Sequence, residues 1–313
     1  MGRKYTGVTV DPREAYGAIV DRVIADLEAG VGPWIKPWAA RARAGGVSGL
    51  PFNGASGHKY RGINVLVLGL SGYCDARWYS FAQAKDKGGM VRAGEKATRI
   101  FFFRQIQIRE AGAADDGGDK LKQIPLMRSY CVFNREQIEW SGEAAAPVVE
   151  PIAIANDDGP AYPIAVTIRD GSGAAIEHGG DSASYSPGFD RIRLPVIGNF
   201  RTEGDYWGTC FHELGHWTGA AKRLDRDMGG RFGADRYAAE ELIAELTAAL
   251  LCGVAAVDGR LQHAEYLAHW ARILRADKGA LMHAASKAQA AADFLLMAAG
   301  VLVADDETES AAA

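Results

Sequence analysis

His212 and His216 stand one helical turn apart, with Glu213, Leu214 and Gly215 between them. On a helix, residues i and i+4 share a face, so both imidazoles can reach one Zn²⁺ at about 2.0–2.1 Å. Glu213, turned about 100° from His212, is then placed as general base toward a water that the metal acidifies. Metal-assisted peptide hydrolysis uses these residue types at this spacing. The plain alternative is a helix carrying two solvated histidines and a surface acid. Tyr206, Trp207, Cys210, Phe211, Leu214 and Trp217 argue against it, because they give the helix an apolar face, and Gly219 is placed to end it.

A hydrolytic site needs a third protein ligand and an open fourth position. The continuation His-Glu-x-x-His-x-x-Gly-x-x-His is excluded: Gly219 fits, but Lys222 occupies the last histidine position, and an ammonium cannot ligate. The next source is residues 237–252, a strong helix former with Gly253 as its expected stop. At about 100° per residue, Leu242, Ile243, Leu246 and Leu250 form its core stripe, and Glu241, Glu245, Ala248 and Cys252 lie beside it. Carboxylates on such a stripe are costly unless a cation or hydrogen bonds satisfy them. Glu241 is therefore assigned as third ligand and Glu245 as the acid that orients a ligand histidine, with Glu245 the alternative ligand. Glu240 falls elsewhere, beside Ala244 and Thr247, and reads as an acid complementing its helix dipole.

The elements that must position this site come from a chain of 313 residues, long enough for two domains. Its formal net charge of −4 conceals an asymmetry: residues 1–140 carry 21 Lys/Arg against 14 Asp/Glu, and residues 141–313 carry 14 against 25. The halves should meet different partners. Cys74, Cys131, Cys210 and Cys252 lack metal-ribbon or disulfide-framework spacing, and no run approaches 18 apolar residues. A cytoplasmic chain with free thiols and no membrane partner is expected.

Residues 12–29 read as an amphipathic helix with Tyr16, Ile19, Val20, Val23, Ile24 and Leu27 inward. A short helix from Trp78 to Lys87 is expected, followed by a strand from Lys96 to Ile108 and a partner strand from Tyr130 to Asn134, with residues 110–120 as the hairpin tip. The Ala-, Pro-, Asp- and Gly-rich residues 141–160 read as a linker, dividing the chain into domains 1–140 and 161–313. Asp190 to Pro195 alternates as an edge strand, and the chain from about residue 203 is helical. The expected class is α+β: an N-terminal α+β domain, then a mainly helical domain with a small sheet.

Single-stranded DNA binding needs cations for phosphates and flat aromatic faces for unstacked bases, and residues 34–104 interleave the two. The candidates are Trp34, Lys36, Trp38, Arg41, Arg43, Lys59, Tyr60, Arg61 and Trp78. Core packing is the alternative for Trp34 and Trp38. No helix-turn-helix, zinc-finger or RNP pattern is present, which disfavours sequence-specific reading of a duplex.

Several of these segments together resemble one family. Leu27 to Trp38, Leu50-Pro-Phe-Asn53, Tyr60-Arg-Gly-Ile-Asn64 and Gly94-Glu-Lys96 are similar to the N-terminal domain of ArdC-type antirestriction proteins of conjugative plasmids. Tyr185-Ser-Pro187, Asp190 to Pro195, His212 to Gly219, Arg223-Leu-Asp225 and Tyr237 to Glu245 resemble that family's metallopeptidase domain. The resemblance implies non-specific single-stranded DNA binding by the N-terminal domain and a zincin-like, gluzincin-type C-terminal domain. It implies His212, His216 and a downstream glutamate as zinc ligands, Glu213 as base, and protection of incoming plasmid DNA. A DNA-binding module joined to a peptidase makes DNA-bound host proteins the expected substrates. The competing class is a protein that coats single strands and keeps a structural or vestigial metal site. Glu213 weighs against it, because structural sites are closed by four ligands.

Overall fold

The computed structural model describes residues 11–34, 50–109, 121–141, 161–226, 234–258 and 266–302. Helix α1 (Pro12–Glu28) starts where the Asp11 carboxylate accepts from the Arg13 amide at 2.8 Å and Pro12 pre-sets the first helical φ. It buries Tyr16, Val20, Val23, Ile24 and Leu27, as its periodicity predicts. Strand β1 (Phe52–Asn53), helix α2 (Ile63–Gly69) and strand β2 (Arg77–Tyr79) follow. Trp78 thus lies in a strand, a correction to the helix expected from Trp78 onward. The helix, α3 (Phe81–Asp86), begins later because Ser80 and Gln83 form a reciprocal capping box.

Strand β3 (Gly89–Val91) pairs antiparallel with β6 (Ile138–Trp140). Between them run β4 (Thr98–Arg109) and β5 (Leu121–Asn134), paired antiparallel from Thr98↔Val132 to Arg109↔Leu121. The partner strand is longer than the segment from Tyr130 alone; the expected tip and the expected linker lie outside the described residues. The four-stranded sheet has the order β1-β2-β5-β4. Asn64 of α2 clamps it by giving its side-chain amide to the Phe101 carbonyl at 2.8 Å and accepting from the Phe101 amide at 2.7 Å.

Helix α4 (Pro163–Gly171) leads into β7 (Ala175–His178), β8 (Ser184–Ser186) and β9 (Arg191–Leu194). The order is β7-β9-β8, so β9 is central: it pairs parallel with β7 and antiparallel with β8. This corrects the edge-strand expectation for 190–195; Pro195 follows the last paired residue and removes no ladder bond. Helices α5 (Glu203–Thr218), α6 (Ala234–Ala255), α7 (Leu267–Ala276) and α8 (Gly279–Ala298) complete the α+β architecture. Helix α6 continues through Gly253 to Ala255, beyond the expected stop. Among the described residues, no helix is long and apolar enough to cross a membrane.

The halves on either side of 141–160 share one continuous core. The Tyr16 hydroxyl of α1 donates to the Lys278 carbonyl at 2.8 Å, and the Gly62 amide donates to Gln289 of α8 at 3.0 Å. Trp34, 1% exposed, packs its ring 5.5 Å from that of Trp270, which is fully buried. Truncating a buried Trp removes its transfer energy and leaves a cavity. Trp34→Ala and Trp270→Ala are each expected to cost about 3–5 kcal/mol, and chemical denaturation should show both halves unfolding in a single transition. Two separate transitions would contradict the shared core.

Candidate metal centre

The site is built where α5 and α6 cross. The Thr202 hydroxyl accepts from the Asp205 amide at 3.1 Å to start α5, and Gly219 caps its end. Tyr206, Trp207, Cys210, Phe211, Leu214 and Trp217 are buried around it, so His212, Glu213 and His216 are presented from a helix fixed by packing. Gly215 sets how near α6 comes. A Cβ there would lie 3.0 Å from Ala244 Cα and 3.3 Å from its carbonyl oxygen, so a side chain would force the helices apart.

His212 Nε2 and His216 Nε2 are 3.0 Å apart, and the Glu241 carboxylate reaches them at 3.3 and 3.4 Å. A tetrahedral ion with bonds of about 2.0–2.1 Å separates its donor atoms by about 3.3–3.4 Å. Two imidazole nitrogens and a carboxylate with these separations fit a divalent metal, and the same three residues form the cluster with metal-ligand spacing among the described residues. Lys222 points elsewhere, pairing with Asp190 at 2.7 Å.

Behind the three ligand candidates stand two further acids. Glu245 lies 3.4 Å from His212 Nδ1, which suits the orienting role expected of it. Glu240 lies 3.3 Å from His216 Nδ1, a placement the sequence reading missed. It sits about two turns into α6, buried, so a dipole role does not account for it. Arg226 fixes it, donating to its two oxygens at 2.7 and 3.0 Å and also to the Gly215 carbonyl and Thr218 hydroxyl at 2.7 and 2.8 Å. Each imidazole therefore has its own carboxylate behind it, the arrangement that sets tautomer and ring direction in metal sites.

A second network ties the small sheet to the end of α5. Asp190, at φ 48°, accepts from Arg223 at 2.5 Å and from the Tyr185 hydroxyl at 2.9 Å. The Arg223 guanidinium lies 3.8 Å over the Trp217 ring. Arg223 and then Lys222 hold the Asp190 carboxyl well below the usual carboxylate range.

The electrostatics follow from packing charge into the core. Burial alone would depress His212, but hydrogen bonds to Glu241 and Glu245, reinforced by the charge of Glu213, hold it up at about 10. Burial opposes ionisation of Glu241, yet the two imidazoles bring it far below the normal range. A raised histidine stabilises the metal-free fold below its unfolded pKa of about 6.5, an effect lost as pH climbs through 10. The depressed Glu241 stabilises it above about 4.5, lost as pH falls.

The DNA-binding candidates divide. Lys59 and Arg61 are exposed, although Arg61 pairs with Asp293 of α8. Trp34 and Trp78 are 1% and 0% exposed, and Tyr60 is also buried. These three rings belong to the core and offer no face to a base: for Trp34 this is the core-packing alternative, and for Tyr60 and Trp78 it corrects the expected DNA contact. Lys36, Trp38, Arg41 and Arg43 lie outside the described residues.

Two family models match the chain: the N-terminal domain of anti-restriction factor ArdC over residues 13–133, and a zincin-like metallopeptidase over residues 164–287. Two DNA primases TraC from Escherichia coli are 36% and 34% identical over 89% and 92% of this chain, which spans 26% and 20% of their lengths. Uncharacterized protein y4eC of Sinorhizobium fredii is 34% identical, with 91% of this chain and 92% of that protein covered. Among solved structures, the antirestriction protein ArdC from plasmid R388 superposes in its metal-free form with a TM-score of 0.72 at 34% identity, covering 92% of this chain and 98% of that one. Its Mn(II)-bound form gives 0.69, also at 34% identity, covering 91% and 97%.

Two outcomes are expected of the site. Metal loading at pH 7 should release about one proton or more, since ligand imidazoles must be neutral; calorimetry in buffers of different ionisation enthalpy reads this, and zero release would contradict a protonated His212. Arg226→Gln and Glu240→Gln should each weaken metal binding about 10–100-fold in chelator competition, by freeing the His216 ring.

Proposed function

We propose a function from one premise: the chain belongs to the ArdC-type antirestriction proteins. In this reading it binds single-stranded DNA without marked sequence preference and carries a metal-dependent peptidase, protecting incoming plasmid DNA from restriction. One observation carries the hydrolytic part: His212, His216 and Glu241 converge with donor separations of 3.0–3.4 Å, while Glu213, buried and next to His212 in sequence, is an acid outside that ligand set. A structural site closed by four ligands has no use for such an acid.

His212, His216 and Glu241 would hold one divalent ion, zinc or manganese. When bound, that ion supplies Lewis acidity toward a peptide carbonyl and toward water. The chain does the rest. Glu245 and Glu240 fix the two imidazoles through their Nδ1 atoms, so the Nε2 lone pairs stay aimed at a common point. Glu213 takes a proton from water and returns it to the departing amine nitrogen. Trp207, Phe211 and Leu214 are buried on the face of α5 away from the histidines and anchor the helix that presents them. The cation excess of residues 1–140 suits a polyanion, and proteins bound to that DNA are the substrate class the arrangement favours.

The deciding experiment is Glu213→Gln, assayed in plasmid transfer into restricting and non-restricting recipients alongside metal content and circular dichroism. The variant should keep its metal and fold, lose protection, and drop any peptide hydrolysis by about 10²–10⁴-fold. Wild-type protection by a metal-loaded, folded Glu213→Gln would overturn the catalytic reading and leave DNA coating as the activity.

A further inference from the structure

With Trp34, Tyr60 and Trp78 consigned to the core, the described N-terminal half must offer bases some other aromatic face. The β4–β5 hairpin supplies one. Phe102 and Tyr130 are 41% and 40% exposed, and their rings meet edge to face at a centroid distance of 5.2 Å. Both project from the same side of the antiparallel pair, because Phe102 is registered with Arg128 and Tyr130 with Ile100. Exposed Arg128 therefore stands directly across from Phe102, and Phe103, 44% exposed, adds a ring on the opposite side.

Charge selects the occupant. Along the sequence the strands Thr98–Arg109 and Leu121–Asn134 hold five Lys/Arg and not one Asp or Glu, and exposed Arg128 shares the side of Phe102 and Tyr130. A protein-binding face would be depleted of charge at its centre. An acid-free ribbon with a cation set beside two bared rings matches a strand of phosphates bearing unpaired bases, where bases stack on the rings and a phosphate meets the cation. A duplex has its base faces already stacked, so it can use the cations but not the rings.

We propose that the face of the β4–β5 hairpin centred on Phe102, Arg128 and Tyr130 is where single-stranded DNA docks, its bases stacking on the two rings. The proposal rests on the single-strand-binding reading above and names the surface that performs it. Both rings are more than one-third exposed and stand outside the shared core, so their removal leaves the fold intact.

The test is fluorescence anisotropy of the full-length protein with a labelled oligothymidylate of about 20 nucleotides, longer than common single-strand site sizes, across a salt series. Phe102→Ala combined with Tyr130→Ala should weaken binding about 10–100-fold without altering the salt slope. Phe102→Trp and Tyr130→Phe should each retain affinity, and Arg128→Gln should lower the slope by about 0.7. If the wild type binds and the double alanine variant binds within about twofold of it, with unchanged circular dichroism, the stacking face is elsewhere and the proposal fails alone. If the wild type does not bind the oligonucleotide at all, the single-strand reading fails and takes this proposal with it. A duplex of equal length that competes as well as the single strand also overturns it.

Discussion

Three carboxylates and two imidazoles packed between two apolar helices are the constraint around which the C-terminal half is arranged. Glu240, Glu241 and Glu245 are 3%, 4% and 1% exposed, and isolated carboxylates at such depth would cost several kcal/mol each. They persist because each faces an imidazole nitrogen, and Glu240 also a buried guanidinium. Gly215 against Ala244 brings the helices near enough for these contacts. Arg226 closes the end of α5 and holds Glu240 with the same guanidinium. Loss of any one partner leaves a charge uncompensated in the core, so the geometry of the ligands and the stability of the helix pair are one problem.

The small sheet belongs to the same arrangement. Strands β8 and β9 pack on α5, and the Asp190–Arg223–Trp217 contacts lock the turn between those strands to the helix end that follows His216. Arg223 lies 33 residues beyond Asp190 and 38 beyond Tyr185, and only their meeting explains the three. The positive φ of Asp190 is strained for a non-glycine residue, and the strain is tolerated because Arg223, Lys222 and Tyr185 all converge on its carboxylate.

What could be read from residues alone follows from how local each signal is. His212, Glu213 and His216 declare themselves by spacing on one helix, and Glu241 by the cost of an acid beside an apolar stripe. Glu240 escaped because stripe logic assumes one buried face. Helix α6 is covered by α4, α5, α7 and α8, so even its third stripe is interior, and the basic residue that makes Glu240 tolerable sits in a separate loop. Trp34 and Trp78 misled for a related reason: an aromatic among cations is equally a stacking platform or a core side chain until its partner is known. The partner of Trp34 is Trp270, more than two hundred residues on. The centrality of β9 was hidden likewise, because both its neighbours are short strands without a strong apolar alternation.

The shared core changes what the two-part organisation means mechanically. A linker between independent domains would leave a DNA-binding surface and a peptidase free to reorient. Here a packed path runs between them: Asn64 of α2 is bonded to both backbone groups of Phe101 in β4, Gly62 at the start of α2 is bonded to Gln289 of α8, and α8 lies along α6, which bears Glu241. Tyr16 and Trp34 add parallel ties to α8 and α7. The hairpin whose rings face outward and the helix that completes the metal site are thus parts of one body. Under the proposed function, a single strand held on the first would be presented to the second at a fixed offset, which would place geometric selection of substrate in the fold itself, where a flexible tether would leave it to chance encounter.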